Sequence, residues 1–150
     1  MGWLRPGGDD QSKGASGMKS KDIRNALKVR LAGGSLAPGA AWPNVDYAGA
    51  RPYFAVSTEA IEREGGTLKG DEVLSETGQF NVIVVVDQGG GEDAALDFAD
   101  AVAALFPEGK RIPITGGEIV VTRPADIRGG YPDDADYRVP VIVRYRATRD

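Results

Sequence analysis

The apolar positions along this chain change period several times, and those changes mark out its elements. From Ser20 the spacing is helical: Ile23, Ala26, Leu27 and Leu31 form one stripe. Ser20 is placed as N-cap, Asp22 sits in the first turn, and Gly33-Gly34 supplies the stop. A loop of Gly, Pro and Ala runs on to about Ala50, with Trp42 its only large anchor. From Pro52 to about Ile61 the period drops to two, with Phe54, Val56 and Thr58 opposite Tyr53, Ala55 and Ser57, which predicts a strand. Residues 65–78 are polar, charged and punctuated by glycine, which suits a long hairpin tip or mobile arm. Gln79 to Asp87 carries the strongest strand signal. Phe80, Val82, Val84 and Val86 share one face, and Ile83 and Val85 make the other apolar too, as expected of a strand central in its sheet.

Gly89-Gly90-Gly91 then turns the chain, and the period returns to that of a helix from Glu92 to Phe106. Ala95, Phe98, Ala99, Val102, Leu105 and Phe106 make its buried face and Asp93, Asp97 and Asp100 its wet one, with Pro107 and Gly109 ending it. Arg111 to Thr115 and Glu118 to Arg123 read as a hairpin through Gly116-Gly117. After a loop broken by Pro and Gly, Asp136 to Ala147 alternates cleanly. Tyr137, Val139, Val141, Val143 and Tyr145 face one side, and Arg138, Pro140, Ile142, Arg144 and Arg146 the other. Pro140 cannot donate to a ladder, so it marks an edge or a bulge. The order helix, two strands, helix, three strands gives an α+β class. The expected architecture is one antiparallel or mixed sheet of about five strands, with two helices packed against it.

Composition sharpens the picture at three points. A chain of 150 residues is enough for a single domain, and that domain is placed at 18–150. Residues 1–17, Gly, Ser, Asp and Lys around a lone Trp3-Leu4, have no periodicity and are expected to be a flexible, dispensable extension. No apolar run approaches the ~20 residues of a membrane span. The start lacks the basic-then-apolar pattern of a secretory signal, so a chain made and folded in a bacterial cytoplasm is expected.

The chemistry open to this chain is narrow. It contains neither cysteine nor histidine, which removes thiolate nucleophiles and sites, the usual general base and the commonest transition-metal ligand. The glycine turn has neither the phosphate-loop nor the dinucleotide-binding spacing, and Glu92 and Asp93 occupy the helix start where a phosphate would sit. Asp133-Asp134-x-Asp136 lacks the glycine and terminal Glu of a calcium loop, and Glu59, Glu62 and Glu64 suggest surface rather than a cleft. Catalytic, metal and cofactor sites are therefore expected to be absent. Net charge is −4, against coating nucleic acid by an overall field. Its distribution is uneven. Lys19, Lys21, Arg24, Lys28 and Arg30 cluster early, acids dominate from Glu59 to Asp100, and Arg138, Arg144, Arg146 and Arg149 turn the end basic. These are either solvated faces or opposite poles that meet when copies associate head to tail. The arginine face is the strongest functional candidate, and its partner is left open: solvent, a neighbouring copy's carboxylates, or DNA in a lumen.

Several features follow one another in order along the chain: Trp42-x-Asn44, the strand start Pro52-Tyr53, a strand entering a glycine turn, Leu96-x-x-Ala99-Asp100 with its helix ending at Phe106, and Val139-Pro140-Val141-Ile142 followed by Tyr145. Over residues 18–148 this set resembles the tail terminator proteins of long-tailed bacteriophages and phage-like particles. These are fold-packing signatures rather than catalytic motifs. The resemblance implies a structural virion protein, not an enzyme, that forms a homohexameric ring. Such a ring caps the tail tube at its head-proximal end, ends its polymerisation and joins it to a head-completion protein. The implied partners are further copies, the tail tube protein and the head-completion protein, with DNA passing through the lumen and no membrane. The candidate assembly residues are Leu68, Lys69, Asp71 and Glu72 on the arm, with Arg138, Arg144 and Arg146 on the last strand. Two other classes stay open, a head-closure or minor tail protein and an acidic ligand-binding or enzymatic domain. Rings of six copies separate the first reading from both.

Overall fold

The computed structural model describes residues 18–45, 47, 49–65 and 73–150. The chain runs α1 (Ser20–Gly33), β1 (Gly39–Ala41), β2 (Tyr53–Gly65), β3 (Val73–Asp87), α2 (Asp93–Leu105), β4 (Arg111–Ile114), β5 (Gly117–Val121), β6 (Asp126–Ile127), β7 (Tyr131–Asp133) and β8 (Asp136–Arg149). The expected α+β class holds, with one mixed sheet. The strand number does not, because the sheet has eight strands in place of about five. The three additional ones, β1, β6 and β7, are two or three residues long, too short to show a period of their own. They are strands only because a longer neighbour offers them hydrogen-bond partners.

Sheet order is β1-β2-β3-β8-β5-β4, with β6 and β7 also paired to β8. Among the described residues only the β1–β2 pair is parallel. β3 lies between β2 and β8, the central place its doubly apolar pattern predicts. β8 pairs with β3 along one side and takes β7, β6 and β5 in turn along the other. Pro140 is therefore not on an outer edge. Its carbonyl accepts from the Arg128 backbone at 2.8 Å. In a strand the amide of the same residue points the same way, so the missing donor faces the gap between β6 and β7.

Both helices cover one sheet face. Ile23, Leu27 and Leu31 of α1 and Ala95, Ala99 and Val102 of α2 join Phe54, Val56, Phe80, Val82, Val84, Val139, Val141, Val143 and Tyr145 in one buried cluster. Phe106 is fully buried with its ring 5.4 Å from that of Phe80, while Phe98 is only half-buried against the cluster. The other face carries half-buried Ala55, Asn81, Ile83 and Ile142, with no helix over it among the described residues.

Element ends differ from the sequence expectation where tertiary contacts intervene. Ser20 is the first helical residue, not the cap; Lys19 holds that position and makes no side-chain capping bond. Met18, 4% exposed, packs beside Gly117 and sets where the chain enters α1. Gly117 itself belongs to β5, so the turn before it is Thr115-Gly116.

Candidate assembly surfaces

The stem of the β2–β3 hairpin is built around a buried carboxylate. Ala60 pairs with Gly78, but Glu62 pairs with Thr77, so Ile61 is an extra residue in a bulge. That insertion reverses the phase of β2. Arg63, not Glu62, then stands opposite Glu76 on the helix-covered side. Glu76 is 1% exposed. Its Oε2 accepts from the Tyr145 hydroxyl at 2.7 Å, and its Oε1 lies 3.0 Å from Arg63 Nε. The Arg63 N–H is not aimed along that line, so Oε1 has charge compensation without a true hydrogen bond. Burial, followed by the bond to Glu76, pushes the Tyr145 hydroxyl far above the usual phenol range.

Gly78 makes room for this arrangement. A Cβ there would lie 2.5 Å from the Glu59 carbonyl and 2.6 Å from the Tyr145 hydroxyl. At the base of the stem Arg24 of α1 donates to the Thr58 carbonyl at 3.0 Å. On the opposite sheet face the Ser75 hydroxyl donates to Glu64 at 3.1 Å. The anticipated arm is thus shorter than the polar stretch suggests, because Val73 to Gly78 belong to β3. Leu68, Lys69, Asp71 and Glu72 lie outside the described residues. Sequence reasoning passed over Glu76, although it shares the parity of Phe80, Val82 and Val84, which is the signal that buries it.

Arg138, Arg144 and Arg146 of β8 lie on the face away from the helices, and each has a carboxylate of its own chain. Arg144 donates to Asp126 of β6, and this bond holds the Asp126 carboxyl below the usual carboxylate range. Arg138 lies 3.1 Å from Asp133 and 3.2 Å from Asp136. Asp136 also accepts from Arg51, whose guanidinium stands 3.7 Å from Asp87. The acidic run at the β7–β8 turn, through Asp133 and Asp136, therefore serves as counter-charge for Arg138 and Arg51. Arg146 is the least engaged: half-exposed, with Glu64 3.9 Å away. At the glycine turn the Tyr137 hydroxyl donates to Glu92 at 3.1 Å. Glu92 lines the open recess there with Gly89 and Gly91, and its carboxylate opposes an anion.

A more enclosed recess of about 220 Å³ opens near the end of α1 and the start of β2, lined by Leu31, Ala32, Leu36, Pro38, Trp42 and Phe54. Trp42 is half-buried against the core and is, as expected, the large apolar anchor of its loop.

These surfaces define a small two-layer domain whose polar side chains hold strands in register and whose apolar groups line the recess at the β1 margin. A family model described as phage tail terminator protein matches residues 22–145, and the chain belongs to that family. It is a structural protein of a phage tail, as the family is. Six solved chains match. One of them is similar over 89% of this chain and 99% of its own, at 26% identity and a TM-score of 0.73. The comparison with curated proteins finds no match.

Proposed function

We propose that this protein caps the head-proximal end of the tail tube as a closed homohexameric ring, ends the tube's polymerisation and joins the tail to the head. The family match across 22–145 carries this reading. The fold supports it in one further respect. A ring needs two different complementary surfaces on each copy, and this sheet ends in unlike margins, β1 with the apolar recess and β4 with Pro113. We assign the contact with a neighbour to the segment 66–72, with Leu68, Lys69, Asp71 and Glu72; the stem that carries it is pinned by Glu76, Tyr145 and Arg63. Arg146, less engaged within the chain than Arg138 and Arg144, contributes to the same contact. Arg138 and Arg144, already neutralised within the chain, act mainly to stiffen β8.

Imaging tests this directly. The purified protein, alone and with tail tubes, is expected to give six-membered rings, and the rings to sit at one end of each tube. Replacing 66–72 with a short Gly-Ser turn should leave the fold intact and reduce capping. Capping at normal length by that variant would remove the arm from the account. Rings bound to heads but never to tubes would mark a head-closure protein.

A further inference from the structure

Four of the apolar side chains left in solvent on this domain lie at two places, while Ile127 and Tyr131 lie apart from both on β6 and β7. Six large ones are exposed among the described residues, and four of them matter here: Val29, Val45, Ile61 and Leu74. Val45 follows Trp42 within one turn, its amide donating to the Trp42 carbonyl at 3.2 Å. Val29 sits one helical turn before Ala32, which lines the Trp42 recess. Both therefore extend the rim of that recess. Ile61 and Leu74 belong to the hairpin stem instead. Ile61 is the extra residue of the β2 bulge, and Leu74 falls where the register shifts again beside Gly65.

The two places lie toward opposite ends of one strand. Phe54 lines the recess and Ile61 is seven residues further along β2, about 23 Å at ~3.3 Å per residue. The stem is held at that distance by the Glu76, Tyr145 and Arg24 contacts, so a copy cannot fill its own recess. Exposed apolar side chains on a projecting stem, Ile61 and Leu74 three strand rungs apart, and an apolar recess elsewhere on the same molecule are the two unlike surfaces of a head-to-tail contact between copies. Charge follows the same polarity. Lys28, one turn before Ala32, enters none of the ion pairs within the described residues, and neither do Glu59 and Glu62 on the stem.

We infer that the Trp42 recess is the socket for the hairpin stem of a second copy of this chain, with Ile61 and Leu74 as the inserted side chains and Glu59 and Glu62 facing Lys28. This inference rests on the ring reading and names the contact that builds it. Apolar insertion supplies the holding energy, and the charges fix which way round the copies meet.

The absence of native cysteine makes the contact testable by cross-linking. A chain carrying both Ala32→Cys and Ile61→Cys, treated with a short bismaleimide, should give a ladder of covalent multimers that stops at the ring. An equimolar mixture of the two single variants should give one heterodimer band and nothing larger. Pairing Ile61→Cys with Glu108→Cys should give no ladder; an equal one would reduce the result to random collision and overturn the inference. Ile61→Asp with Leu74→Asp should lower self-association at least tenfold in sedimentation while leaving the unfolding midpoint in place. Rings of wild-type mass from that variant, or rings without a ladder, would overturn the socket and leave the capping function standing. A wild-type chain that stays monomeric both alone and on tubes would remove the ring and the socket together.

Discussion

Glu76 shows how much of this fold rests on single side chains. A carboxylate 1% exposed is tolerated because Tyr145 donates to one oxygen and Arg63 stands beside the other. Tyr145→Phe keeps the ring and removes the donor, leaving Oε2 buried without its bond. The expected cost is about 1–3 kcal/mol in urea unfolding; a loss below about 0.5 kcal/mol would mean that water takes over the bond and the stem is looser than described. Asp126 offers a second residue-scale test. Its carboxyl is held down by the hydrogen bond from Arg144, so it favours the folded state above the ordinary aspartate value of about 3.9. That contribution is lost as pH falls through the depressed folded value. Carboxyl NMR titration should find Asp126 ionising below the ordinary aspartate value, and Arg144→Ala should return it toward that value. An Asp126 titration unchanged by that substitution would separate the pair. Neither partner set was legible beforehand, since parity placed Arg144 on a face without showing that Asp126, eighteen residues earlier, would be brought against it.

The long elements were legible because each carries enough turns or alternations to declare its period. α1, β2, β3, α2 and β8 were anticipated in type and order, and the apolar stripe Ile23, Leu27, Leu31 is buried. The strands β1, β6 and β7, the β2 bulge and the true extent of β3 were not. Val73 to Gly78 reads as polar loop because Glu76 and Gly78 interrupt its apolar side, and both are there for Tyr145 across the sheet. Gly78→Ala tests that explanation. The added methyl meets a backbone carbonyl that cannot move alone, so a loss of about 1–3 kcal/mol is expected from thermal or urea unfolding. A neutral result would show that β2 and β3 can separate at this point without harm. The core has its own test: Phe106→Ala should cost about 3–5 kcal/mol, and half-buried Phe98→Ala less. The reverse order in the same unfolding assay would place α2 in another rotation.

At the scale of the whole molecule, the ordered packing signatures from Trp42 to Tyr145 pointed to the family, and the family match covers 22–145. They pointed to it because they encode how strands and helices meet, which the chain must specify locally. How copies meet is encoded in surfaces, and a single chain shows those only after folding. The recess at Trp42 and the exposed Ile61 on the hairpin stem are far apart in the fold and unremarkable in the sequence. The arginines, by contrast, stand out in the sequence and prove largely neutralised by their own chain. The central claim is that this protein ends tail growth, and the length distribution of tails measures it most directly. Particles assembled with and without the protein are compared by negative-stain imaging. With it, tails are expected at one defined length, each closed by a ring at the end that meets the head. Without it, tubes are expected to overrun that length and to lack heads. Tails of the same defined length, joined to heads, in the absence of the protein would contradict the account.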